Sequence, residues 1–238
     1  MCIDPSHDSC PLLPYAPFFI MNFAAIFSSP RSPLSIQSIP IPNPAPNELL
    51  IKVSTISLNT IEANIAKLAA ILIAYPAILG SSYTGTIEAL GCSVTNYRVG
   101  ARVLISKQFS TKGNQHGAYQ GYVPVAAGEK MVIRIPEGSD EAVLASLVMN
   151  TSCVPGLFSG QLGLRRPGDE ILTVGAEEKK NVLVYGGCSS FGRLSVRYLR
   201  SAGYAVTTTS SPRHMGPMRK LGVDSAVDHT LSLTQVVW

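Results

Sequence analysis

The part of this chain best equipped for chemistry is the stretch NVLVYGGCSSFG, Asn181 to Gly192, in which an apolar run passes through small residues into an amphipathic segment. A strand that turns directly into a helix brings the helix's unpaired N–H groups up to an anion, and small residues let that anion approach the backbone. Set against the pattern GxGxxG, the sequence supplies Gly187, Ser189 and Gly192. The first and third glycines, which serve the tight turn and close helix–strand packing, are in place, and the middle one is replaced by a hydroxymethyl side chain. Ser189 and Ser190 offer hydroxyls that could donate to a phosphate oxygen. The flanking strand, helix and second strand separate a dinucleotide turn from an ordinary βα loop.

An acidic residue about 20 positions further on, at the end of the second strand, would grip the ribose 2′-hydroxyl of NAD. Here that strand ends TTTSSPRH, Thr207 to His214, without a carboxylate. Ser210, Ser211, Arg213 and His214 instead present hydroxyl and cationic donors, a set suited to the 2′-phosphate of NADP.

Other chemistries find little support. The histidines His7, His116, His214 and His229 and the cysteines Cys2, Cys10, Cys92, Cys153 and Cys188 are scattered, with no CxxC or HExxH spacing, so no metal site and no disulfide framework is expected. A net charge of +4, with no basic run interleaved with aromatics, gives no nucleic-acid footprint. The apolar amino terminus lacks a basic region before it and carries prolines at Pro11, Pro14 and Pro17, against a secretion signal. The run LAAILIAYPAILG from Leu68 is broken by Pro76, is too short to span a bilayer and is expected to be core. A cytoplasmic location with reduced thiols, away from membranes, is the expectation.

Residues 1–20 read as a disordered or non-native extension, with Met21 an alternative start. A first strand is expected at MNFAAIF from Met21, a proline-punctuated loop after Pro40, and a strand over Leu49 to Leu58. Short β-rich pieces follow from Ser82 to Ile105, in GAYQGYVPVA and in MVIRIP, as in a small antiparallel barrel or sandwich. Ser139 is expected to cap a helix with Glu141 in its first turn and Val143, Leu144, Leu147 and Val148 recurring along it. Beyond it the grammar becomes βαβαβ. The strand NVLVY leads to a helix with Phe191, Leu194, Tyr198, Leu199 and Ala202 on one face, stopped by Gly203, then a strand over Ala205 to Thr209, a short helix ending at Gly222 and a strand at SAVD.

These pieces together resemble the medium-chain dehydrogenase/reductase superfamily, in its zinc-independent quinone-reductase-like and enoyl-reductase-like branch, including fungal stand-alone enoyl reductases that serve polyketide synthases. The residues that carry the resemblance are ISLNTIE at Ile56 to Glu62, YPAILGSSYTGTIEALGCSVTNYRVGARV at Tyr75 to Val103, GAYQGYV at Gly117 to Val123, the glycine turn, TTTSSPRH, and LGVDSAVDH at Leu221 to His229. The resemblance implies an α/β chain: a GroES-like β-rich domain over 21–150, then a partial Rossmann domain, part of a doubly wound parallel sheet, over 151–238. It implies NADPH-dependent hydride transfer to an activated double bond of an enoyl, enone or quinone substrate, with a polyketide synthase as a partner. Carried over by position, cofactor contacts fall on Asn59, Thr60, Ile61 and Glu62, on Thr151, on Gly187, Cys188, Ser189, Ser190, Phe191 and Gly192, on Ser211, Pro212, Arg213 and His214, and on His229. No zinc is implied, because LNTIE stands where zinc-dependent relatives place a cysteine ligand and a GHE-type histidine is missing.

The chain departs from the pattern at several positions. Ser82 and Ala101 replace aspartates, Thr60 a proline, Glu62 an aspartate and Gly121 a glutamate. Family chains run on for roughly a hundred residues more, completing the parallel sheet. The alternative to an active reductase is therefore a truncated, non-catalytic member that binds nucleotide weakly or a partner protein. No proton donor stands out: Tyr83, Tyr119 and His116 qualify by type, and each is expected to be a packing or loop residue.

Overall fold

The computed structural model describes residues 21–107, 114–128, 132–169 and 180–231. The extension expected over 1–20 and the segments 170–179 and 232–238 lie outside the described residues. The chain divides into two compact units, Met1–Val148 and Met149–Trp238.

The first unit is built from antiparallel strands. Strands β1 (Asn22–Phe27), β2 (Leu34–Ile39) and β4 (Ala77–Ile78) form a small sheet in the order β2-β1-β4. Strands β3 (Glu48–Ser57), β5 (Ser82–Leu90), β6 (Arg102–Ser106), β7 (Tyr122–Ala126) and β8 (Val132–Arg134) form a larger one in the order β7-β3-β5-β6-β8. Alternation puts Leu49 and Ile51, Tyr83 and Ile87, Val103 and Ile105, and Val123 and Val125 into one buried core. A short helix, α1 (Thr60–Leu68), leaves the end of β3 and ends at Ala69, whose left-handed φ of 51° lets its N–H reach the Ile65 carbonyl.

Two local expectations are corrected here. The run from Leu68 does not enter the core as a block: Leu68 and Leu72 are exposed, and burial resumes only at Ala77, Ile78 and Leu79, where β4 pairs with β1. Helix α2 (Glu141–Pro155) is capped by Asp140 rather than Ser139, because the Asp140 carboxylate accepts from the N–H groups of Ala142 at 2.9 Å and Val143 at 3.2 Å. Its inward residues are Ala145, Val148 and Val154, while Val143 and Leu147 face out. Glu141 anchors the start of α2 to the large sheet, accepting from Thr84 Oγ1 at 2.9 Å and pairing with Arg102 at 3.1 Å. The helix continues through a π-helical turn, Gly156–Gln161, and the span Glu141–Gln161 is long and apolar enough, by length and composition only, to cross a membrane, its most apolar 18-residue window having a mean hydropathy of 1.5.

The second unit is parallel. Strands β9 (Asn181–Val184), β10 (Ala205–Ser210) and β11 (Ser225–Asp228) line up in the order β11-β10-β9. Helix α3 (Ser190–Ser201) and the short α4 (Met215–Lys220) are the crossovers. Val184, Val196, Leu199 and Val206 form the core with Val154 and Phe158. Helix α3 stops as expected: Gly203 takes φ 86°, donating to the Arg200 carbonyl, and Tyr204 donates to that of Leu199.

Candidate functional site

Parallel pairing brings three chain segments to the carboxyl end of the small sheet, the edge where open α/β sheets take ligands. The turn after β9 is tied to the end of β10, since Gly187 N–H donates to the Thr209 carbonyl at 3.1 Å and Gly186 N–H to Thr209 Oγ1 at 2.9 Å. The end of β11 lies beside the end of β10, with Ser210 opposite Asp228 and the His229 N–H donating to the Ser210 carbonyl at 3.3 Å. The glycine turn, the segment Ser211 to His214, and His229 are thus gathered on one edge.

The glycines of the turn answer to sterics. A Cβ on Gly187 would lie 2.0 Å from Thr208 Oγ1 and would have to displace that side chain, whereas one on Gly192 would lie 2.3 Å from the Gly186 carbonyl oxygen, so Gly192 accepts no side chain without moving the turn. Ser189 is in extended backbone, φ −68° and ψ 163°, which any residue adopts. It is the N-cap of α3: its Oγ accepts from the Gly192 N–H at 2.9 Å and donates to the Gly186 carbonyl at 2.9 Å. The Ser189 hydroxyl is therefore committed to the turn. The N–H groups of Cys188, Ser190 and Phe191 have no acceptor among the described residues, and three such donors at the start of a helix of 12 residues suit a pyrophosphate. Ser190 Oγ accepts from Asn150 Nδ2 at 2.9 Å, which ties α2, next to Thr151, to the first residue of α3.

At the end of β10, Ser211 is extended and Pro212 opens a single helical turn over Pro212–His214. The Arg213 side chain is exposed, and the ion pairs among the described residues, Arg102–Glu141 and Arg200–Asp224, do not use it. Asp224 was not singled out by sequence reasoning; it accepts from the Val206 N–H at 2.8 Å and pairs with Arg200, pinning β10 to the loop before β11.

The remaining candidates, Asn59 to Glu62, belong to the first unit. Glu62 is buried, and its carboxylate accepts from the Asn59 N–H at 2.9 Å, from the Ser81 N–H at 3.0 Å and from Ser81 Oγ. Asn59 Nδ2 reaches Ser81 Oγ and Ser82 Oγ, each at 3.4 Å. The Glu62 carboxylate thus holds the start of α1 against the residues that lead into β5; Ser81 was missed in the sequence because its partner lies 19 residues away. Of the acid candidates, Tyr83 is buried in the sheet core and His116 Nδ1 meets the Pro124 carbonyl at 2.9 Å. Tyr119 is pushed up to about 12, first by burial and then by the negative charge of Glu62. Among the described residues no three His, Cys, Asp or Glu side chains gather as metal ligands would.

The profile of the alcohol dehydrogenase GroES-like domain matches residues 45–137. The trans-enoyl reductase tazE of Aspergillus terreus is 31% identical over 214 residues, covering 87% of this chain and 68% of that protein. The dehydrogenase orf1 of Aspergillus niger is 30% identical over 216 residues, and there the chain spans only 60% of the relative's length. Among solved structures, the quinone oxidoreductase from Coxiella burnetii superposes with a TM-score of 0.70 at 23% identity, over 92% of this chain and 66% of that one.

Proposed function

Because the chain belongs to the zinc-independent quinone-reductase and enoyl-reductase branch of the medium-chain dehydrogenase/reductase superfamily, we propose that it binds NADPH and serves the reduction of an activated double bond in an enoyl, enone or quinone substrate. The observation that carries the reading is the turn Gly187 to Gly192, whose N–H groups at Cys188, Ser190 and Phe191 stand open beside a β10 end that holds Arg213 and no carboxylate. The open donors receive the pyrophosphate; Ser211, Arg213 and His214 receive the 2′-phosphate, where a carboxylate would repel it. A bound nicotinamide supplies the hydride. The chain's own contribution is to bind and orient the cofactor, and no metal is needed to polarise the substrate. The reading extends to a polyketide synthase as the source of an enoyl substrate and, with Cys92, Cys153 and Cys188 unpaired, to the cytoplasm.

Titration of the protein with NADPH and with NADH, followed by nicotinamide fluorescence, tests this. NADPH is expected to bind at least about tenfold more tightly, the worth of one charge-assisted hydrogen bond. Equal affinity for both overturns the assignment of the 2′-phosphate to Ser211, Arg213 and His214, and binding of neither overturns the reading as a whole.

A further inference from the structure

One contact at the turn joins segments far apart in sequence. Asn150, on α2, donates from Nδ2 to Ser190 Oγ at 2.9 Å across 40 residues. An amide nitrogen is only a donor, so this contact uses a lone pair of the serine oxygen and leaves the single hydroxyl hydrogen to be given elsewhere. The neighbouring hydroxyl, on Ser189, has no such freedom, because its hydrogen goes to the Gly186 carbonyl and its oxygen takes the Gly192 N–H. Ser190 itself is the first residue of α3 and lies between the open N–H groups of Cys188 and Phe191. We propose that Asn150 is a positioning residue for the dinucleotide phosphates: by occupying the acceptor side of Ser190, it makes that hydroxyl an added donor to the anion received by the turn. This rests on the nucleotide reading above and assigns it a residue on a different element, adjacent to Thr151.

The roles of donor-setter and simple helix tie separate when Asn150 is made a carboxylate. In Asn150→Asp the serine must give its hydrogen to the new carboxylate, so the tie persists while the donor to phosphate is lost and a negative charge is added. At about 0.5 M salt, where the through-space effect of that charge on the anion is largely screened, a mere tie would leave binding at the level of the parent in the same salt. The experiment is the NADPH fluorescence titration on the full chain, with Asn150→Ala, Asn150→Asp, Ser190→Ala and Asn150→Ala/Ser190→Ala, each checked for folding by circular dichroism. Asn150→Ala and Ser190→Ala are each expected to weaken NADPH binding by about three- to tenfold, as for one hydrogen bond. The double variant should bind no more weakly than Ser190→Ala alone, and Asn150→Asp more weakly than Asn150→Ala. The proposal is overturned if Asn150→Asp binds like the parent, if Asn150→Ala is within twofold of it, or if the two alanine effects simply add. Should Asn150→Ala fail to fold, the order of Ser190→Ala and Asn150→Asp decides alone: the proposal needs both to bind more weakly than the parent. A parent that binds neither nucleotide overturns the functional reading and this assignment with it, whereas a parent that binds NADPH while the variants match it overturns only the role of Asn150.

Discussion

Glu62 shows how one side chain can carry more than its sequence position announces. Matched by position, it stands among cofactor contacts; in the fold its carboxylate accepts from both Asn59 and Ser81. Its charge is also felt at Tyr119, where burial and Glu62 together push the phenol up to about 12 from an ordinary 10.0. The sign of the consequence is definite. A phenol whose folded value lies above its unfolded one binds more protons in the folded state over that window, so its contribution to stability is whole below about pH 10 and is lost as pH rises toward 12. Urea unfolding at steps from pH 8 to 11.5 should therefore show the parent losing stability above about pH 10 more steeply than Tyr119→Phe, with Glu62→Gln between them. Identical slopes in the parent and Tyr119→Phe would remove Tyr119 from the account. Asn59 stands only three residues from Glu62, within reach of local pattern, whereas Ser81 and Tyr119 were not legible as its neighbours because they come from other segments.

At the scale of elements, the turn and helix α3 were the most legible part of the chain, because small residues, a hydrophobic period and a terminal glycine all agree. The serine at the middle glycine position is explained by the backbone: an extended N-cap residue needs a side-chain acceptor and not left-handed freedom. Stability should follow that logic. Ser189→Ala is expected to cost about 1 kcal/mol, and Ser189→Gly, which restores the full glycine pattern, only a few tenths. Gly192→Ala should cost about 1–3 kcal/mol and weaken NADPH binding, since its Cβ would meet backbone atoms of Gly186 and Gly187 that cannot swing aside. Chemical denaturation midpoints rank the three, and a Gly192→Ala variant as stable as Ser189→Gly would contradict the steric account. What the sequence concealed has equally physical causes. Strand β2 is exposed along its length and shows no buried alternation, β4 is two residues long, and α1 was overlooked beside the longer apolar run that follows it. Ser139 and Asp140 are both good caps, and only the bonds to Ala142 and Val143 choose between them.

At the scale of the molecule, the two units have cores with no residue in common, one under the antiparallel sheet and one between α3 and the parallel strands. The candidate residues are split accordingly, with Asn59 to Glu62 in the first unit and the turn, the β10 end and His229 in the second. In the second unit the order of elements and the strand direction were readable, because local pattern and chain grammar specify them; the contacts that tune each site were not, because they join distant segments. A ligand that binds only the folded state stabilises the unit holding its contacts, by about 2.7 kcal/mol at a concentration one hundred times its Kd. Calorimetry should therefore show NADPH raising the unfolding transition that Gly192→Ala lowers, because both act on the core packed against α3. NADH at the same concentration should raise it less, for want of the 2′-phosphate. If NADPH raised a transition that Gly192→Ala leaves untouched, nucleotide would be bound by residues other than the turn, and the assignment of Cys188, Ser190 and Phe191 as phosphate donors would fall.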